Sequence, residues 1–216
     1  MTKDQAARAS FFQDPEVFAC NNLILPEVPG DQWNNGIIRI YQAAFIDYGL
    51  EFEFTCTRRG GEGQLGVYGV RQFLGQDTQG TFGAYWCPYR PNEVGAVTVW
   101  NEALTMFTAD MTGCTLGVGS QAADGAVRVA HVNMQKYDKE EDKSSMRDAQ
   151  RFYASRASGP NARILDPEEY RRGNPFDGDE VHSTTFGVRR GGVWRFYSQR
   201  WTGAFGEYQL LNLRAL

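Results

Sequence analysis

"FTADMTGCTLGVGSQAADGAVRVAHVNM", Phe107 to Met134, sets one cysteine, Cys114, ahead of His131, one of only two histidines in the chain. "CTLGVG" and "AVRVAHVN" are apolar and rich in β-branched residues, and "SQAADG" between them has good turn chemistry, so the stretch reads as two antiparallel strands. Two registers are open. A two-residue turn at Asp124 and Gly125 pairs His131 with Val118 and leaves Cys114 about 13 Å along the strand, too far for chemistry. Pairing Cys114 with His131 sets Leu116 opposite Val129 and Val118 opposite Val127, a coherent face, and leaves Ser120 to Gly125 as the loop.

Working upstream, "WNEALTMFTADM" brings Leu104, Phe107 and Met111 to helical spacing with Asn101 as its cap, which predicts about three helical turns broken at "TGC". "GIIRIYQAAFIDYGLEFEFTCT" and "VYGVRQFLGQDTQGTFGAYWCPYRPNEVGAVTVW" read as strands, separated by the turns "RRGGEGQLG", "GQDTQG" and "PYRPNE". None of the turns carries a phosphate-cradling G-x-x-x-x-G-K-[ST] pattern. Residues 3–19 read as a short polar helix, followed by the turn-rich "PEVPGDQWNNG".

Downstream, the charged run "MQKYDKEEDKSSMRDAQ" reads as a solvated loop or helix face, with "SSMRDAQRFYASRA" continuing as helix. "GPNARILDPEEYRRGNPFDGDE" reads as an irregular surface excursion. "VHSTTFGVRRGGVWRFYSQRW" alternates across "RRGG" and predicts a hairpin.

A chain of 216 residues, 42% hydrophobic and 22% charged, can bury a sizeable core, and no repeat or low-complexity tract marks a boundary. Residues 1–216 are therefore read as one catalytic domain. With 24 glycines and 13% aromatics in short alternating runs, the expected class is α+β, built of β-sandwich-like mixed sheets with flanking helices. A net charge of -4 provides no basic field for nucleic acid or an anionic membrane, so the expected partner is a protein or small molecule and the chain is read as a monomer. The amino-terminal stretch has no apolar leader, and no segment approaches the roughly 20 apolar residues of a membrane span. The expectation is a soluble, cytoplasmic protein in the producing cell.

Cys20, Cys56, Cys87 and Cys114 form no C-x-x-C pair, and His131 and His182 lie far apart, so free thiols, no metal and no cofactor are expected. A free cysteine is often a small buried hydrophobe, which is the reading given to Cys20, Cys56 and Cys87. His182, beside the acidic "FDGDE", reads as a surface histidine. The aromatics of "TFGAYWCPY" and "GVWRFYSQRW" read as core and cross-strand pairs. Cys114 differs from the other thiols in having a histidine within reach of a sensible strand pairing, and a cysteine nucleophile needs such a base and a group to orient it.

"F-T-A-D-M-T-G-C" followed by an apolar strand and "V-A-H-V-N" resembles the signature of the glutamine deamidases of the cytotoxic necrotizing factor and Burkholderia lethal factor type. The resemblance covers residues 107–133. It implies that Cys114 is the nucleophile, His131 the base, and Thr108, six residues before the cysteine, the third member of the site. Met111 and Thr112 stand where the family has Leu-Ser, which keeps an apolar residue and a hydroxyl. The Cys-to-His interval is longer than in the lethal factor and is similar to that of the chemoreceptor glutamine deamidases, which leaves the subfamily open.

On this reading Cys114 attacks the side-chain amide of a target-protein glutamine, and His131 lowers the thiol pKa by ion pairing and protonates the departing ammonia. Backbone N–H groups at Gly113 and Cys114 form the oxyanion site. Thr108 orients the imidazole, with Thr115 and Asn133 as weaker candidates for that role. The resemblance implies a bacterial toxin or effector delivered into a host cell, with a host Rho-type GTPase or translation-initiation helicase as target, or alternatively a bacterial receptor. Two other classes compete: a non-catalytic β-sandwich binding module with a solvent-facing aromatic patch, and a thiol protease or transglutaminase using the same dyad.

Overall fold

The computed structural model describes residues 2–29, 40–52, 65–73, 81–134, 142–172, 180–204 and 207–216. Within these the protein is α+β and dominated by sheet, as the composition predicts. Residues 3–19 form two helices rather than one. Helix α1 (Lys3–Gln13) opens on a Thr2–Gln5 capping box, and Asp14 both ends it and caps α2 (Pro15–Asn21) through a hydrogen bond to Val17 N. Pro15 has no N–H to continue the first helix and is preorganised to begin the second.

An eight-stranded mixed sheet carries strands β1 (Asn22–Pro26), β3 (Leu65–Gln72), β2 (Ile40–Phe52), β4 (Phe82–Cys87), β6 (Thr105–Thr108), β10 (His182–Arg190), β11 (Val193–Ala204) and β12 (Glu207–Ala215), in that spatial order. A second, antiparallel sheet has the order β5 (Val94–Val99), β8 (Val127–Val132), β7 (Thr115–Val118), β9 (Arg163–Leu165). Alternation along each strand divides the side chains between two cores. Phe82, Ala84 and Trp86 of β4, with Phe107 and Phe186, pack against Phe11 and Phe18 of the amino-terminal helices. Tyr85, Cys87 and Met106 face the other way and meet Val97, Leu116, Val118, Val127 and Val129 of the second sheet. Helix α3 (Asp142–Ser158) covers the outer face of that sheet so closely that a methyl group on Gly117 would lie 2.4 Å from Ser158 Oγ and 2.7 Å from the Ala154 carbonyl oxygen. The order of layers is helix, sheet, sheet, helix. No helix among the described residues is long and apolar enough to cross a membrane.

Three local readings are corrected. The helix expected over "WNEALTMFTADM" is replaced by bends and by β6, whose four residues are all buried between parallel β4 and antiparallel β10. Two sheet partners satisfy its backbone, and that outweighs the helical spacing of Phe107 and Met111. "RILDPEEY", expected to be irregular, contains β9 and a short helix α4 (Pro167–Arg171), with Leu165 and Tyr170 buried. The strand register is a third one: Leu116 lies opposite His131 and Val118 opposite Val129, midway between the two considered. The turn closes through Gly125 N to Ala122 O, centred on Ala123 and Asp124, with Gly125 at φ +88°.

The hairpin across "RRGG" forms as expected, pairing Arg190 with Val193 over Gly191 and Gly192 at φ +57° and +84°, the left-handed pair that a tight hairpin turn requires. Tyr85, Trp86, Trp194, Phe196, Tyr197 and Trp201 are buried, as core aromatics. The turns "RRGGEGQLG" and "GQDTQG" and Cys56 lie largely or wholly outside the described residues.

Candidate active site

The site occupies the end of the sandwich where β4 and β6 finish, β7 begins and β8 finishes. The observed register lies two residues from each of the two considered, and every such even shift keeps Cys114 and His131 on one face. In the observed one Cys114, immediately before β7, is the diagonal neighbour of His131, a relation that spans about 7–8 Å between backbones and is within reach of long or aromatic side chains. Both are buried in the space between the sheets. Gly95 lies opposite His131 on its other flank, where a methyl group would fall 1.8 Å from the Pro88 carbonyl oxygen, so only glycine lets the chain carrying Pro88 and Tyr89 pass there. The Tyr89 ring rests against the imidazole at 5.1 Å between centroids.

Thr108, from the opposing sheet, places Oγ1 2.6 Å from His131 Nδ1 and 3.0 Å from the Cys87 carbonyl oxygen. A hydroxyl has one proton. The carbonyl can only accept, so the hydroxyl donates to it and accepts from Nδ1–H. This assigns the tautomer and leaves Nε2 as a bare lone pair, and that atom is buried with no hydrogen-bond partner among the described residues. An unpaired buried acceptor costs about 1–3 kcal/mol, which fold stability alone does not account for.

Around Cys114 the backbone is tied down. Gln150 Nε2 donates to the Gly113 carbonyl at 3.2 Å, and the Tyr170 hydroxyl donates to the Cys114 carbonyl at 3.1 Å. Burial pushes the thiol up to about 12, the Gly113 backbone and the Arg171 charge oppose this, and Asp110 adds to it. Burial likewise pushes His131 down to about 4, with Asp110 acting the other way. Burial thus favours the neutral form of each group, thiol and imidazole, and works against the ion pairing expected from the sequence.

Thr115 does not join the site: it lies on the outer face and donates to Gln150 Oε1 at 3.0 Å. Asn133 Nδ2 donates to the Tyr89 hydroxyl at 2.9 Å, behind the imidazole. Cys87 is a fully buried packed thiol, also pushed up to about 12 by burial. His182 is no plain surface residue: it stacks on Trp201 at 4.0 Å, and its Nδ1 lies 2.9 Å from Asp110 Oδ2 at the mouth of the site. Tyr89, Gly95, Asp110 and Tyr170 were not singled out from the sequence. Among the described residues no group of three or more His, Cys, Asp or Glu side chains is placed to hold a metal ion. No protein-family model matches the chain, and no curated protein sequence matches it either.

Proposed function

We propose that this protein is a cysteine-dependent deamidase that converts a glutamine side chain of a target protein to glutamate. The observation that carries the proposal is the Cys87 carbonyl–Thr108–His131 relay, which presents a lone pair at Nε2 on the face shared with Cys114. Because thiol and imidazole are both neutral, the proton passes from sulfur to Nε2 as sulfur attacks the amide carbon. The S–C bond forms and the carbonyl electron pair moves to oxygen. Collapse of that oxyanion expels ammonia, which takes the proton from His131. Water, deprotonated by the same nitrogen, then attacks the thioester, releasing the carboxylate and returning the proton to sulfur. The aromatics of β4 and β11 are buried, which supports this reading over a binding module that turns those side chains to solvent.

The test is incubation of a eukaryotic cell lysate with wild type, Cys114→Ser, Thr108→Ser and Thr108→Val, with glutamine-to-glutamate conversion read by peptide mass spectrometry. The expected result is one or a few converted sites with wild type and with Thr108→Ser, none with Cys114→Ser, and a rate about a hundredfold lower with Thr108→Val. Incorporation of an added primary amine in place of conversion would reassign the reaction to transglutamination. Absence of any conversion dependent on Cys114 overturns the reading.

A further inference from the structure

We infer that the guanidinium of Arg171 is a further catalytic group, stabilising the negative charge that develops on sulfur and on the substrate carbonyl oxygen beside Gly113. The inference rests on the deamidase reading and adds to it a side-chain donor that the backbone N–H groups alone do not supply.

Contacts on either side of Arg171 fix its place in the chain. Arg171 ends α4, and the residue before it, Tyr170, ties that helix to the nucleophile by donating its hydroxyl to the Cys114 carbonyl. Arg200 fastens the chain on both sides of Arg171: its Nε donates to the Tyr170 carbonyl at 2.6 Å and its Nη2 to the Arg172 carbonyl at 2.7 Å. Arg171 Nη2 then lies only 3.9 Å from where a methyl group on Gly113 would be, so the guanidinium overhangs the peptide next to the nucleophile. Among the described residues its ion-pair contact with Glu180 is 4.0 Å long and both side chains are about half exposed or more, which leaves N–H groups able to meet another acceptor.

A preoriented cation at this point does little for a neutral amide and much for the tetrahedral oxyanion, because it need not reorganise when charge appears. As sulfur bonds to the amide carbon, the carbonyl pair becomes a full charge on oxygen, and the guanidinium donates to it. When the pair returns to carbon, ammonia leaves with the His131 proton.

The experiment compares the alkylation rate of Cys114 by iodoacetate, an anion, with that by iodoacetamide, its neutral counterpart. Wild type, Arg171→Gln, Arg171→Lys and His131→Ala are measured with mass-spectrometric assignment of the cysteine. In Arg171→Gln the iodoacetate-to-iodoacetamide ratio is expected to fall about fivefold, the effect of one partly exposed charge at short range, and in Arg171→Lys to stay near the wild-type value. His131→Ala is expected to slow both reagents alike and leave the ratio unchanged. An Arg171→Gln protein that unfolds with the wild-type midpoint and keeps the wild-type ratio overturns the inference. Reactivity indifferent to His131 overturns the dyad instead, so the two failures are separable. On a converted glutamine identified from lysate, Arg171→Gln should lower kcat about a hundredfold with KM little changed; an unchanged kcat in Arg171→Gln would reduce the residue to a structural one.

Discussion

The two ends of the sandwich are built from the same strands and treat buried polarity in opposite ways. At the end where β5, β7 and β10 finish, every tryptophan N–H is matched: Trp194 Nε1 donates to the Trp100 carbonyl at 3.1 Å and Trp100 Nε1 to the Asp124 carbonyl at 2.7 Å. Gln121 joins the two turns there, donating to Gly192 O and accepting from Trp194 N. At the other end the imidazole is hydrogen-bonded at Nδ1, its second nitrogen has no partner among the described residues, and a thiol with a pKa pushed up to about 12 lies on the same face. The difference teaches where stability is laid down and where it is withheld. The closed end holds the turns in place, and the open end leaves buried acceptor capacity unused, which under the proposed function a substrate amide would satisfy.

The largest expected effect is at Gly95. Gly95→Ala drives a methyl group into the Pro88 carbonyl, a backbone atom that cannot step aside, and should cost about 4 kcal/mol in denaturant unfolding together with activity at Cys114. A stable, active Gly95→Ala would break the claim that the open end is packed to backbone contact. Next is the pH dependence of stability. His131 titrates near 6.5 when unfolded and at about 4 when folded, so the unfolded chain binds the extra proton between those values. Its contribution is complete above pH 6.5 and is lost as pH falls towards 4, about 3 kcal/mol in all. His131→Gln should flatten that acid limb by this amount; identical acid limbs would show that the imidazole is not buried neutral. The smallest effect belongs to the closed end. Trp100→Phe removes one hydrogen bond and should cost about 1 kcal/mol with no change in Cys114 alkylation. A change in that reactivity would couple the two ends and blur the contrast.

Legibility followed range along the chain. The β10–β11 hairpin could be read because both turn glycines and the alternating flanks are local. β6 could not, since its identity comes from β4 and β10, one before it and one more than seventy residues after it. α4 carried a local signal that went unused: Asp166 accepts from Glu169 N and Pro167 stands at the first helical position, an Asp-Pro-Glu-Glu start. Thr108 was placed by resemblance and Gly113 by glycine's close approach next to Cys114, whereas Arg171, Tyr170 and Tyr89 reach the candidate site from segments that no spacing rule connects to it.

By itself the sequence determined the α+β class and, once β7 and β8 are taken as neighbours, the common face of Cys114 and His131, because strand alternation has period two and every register considered preserved it. Tertiary structure alone decided the rest. The turn centred on Ala123 and Asp124 chose a diagonal rather than a direct Cys-His relation. Packing of the second sheet on the first brought Thr108 to Nδ1, and with it the tautomer, because a hydroxyl has one proton and the Cys87 carbonyl can only accept it.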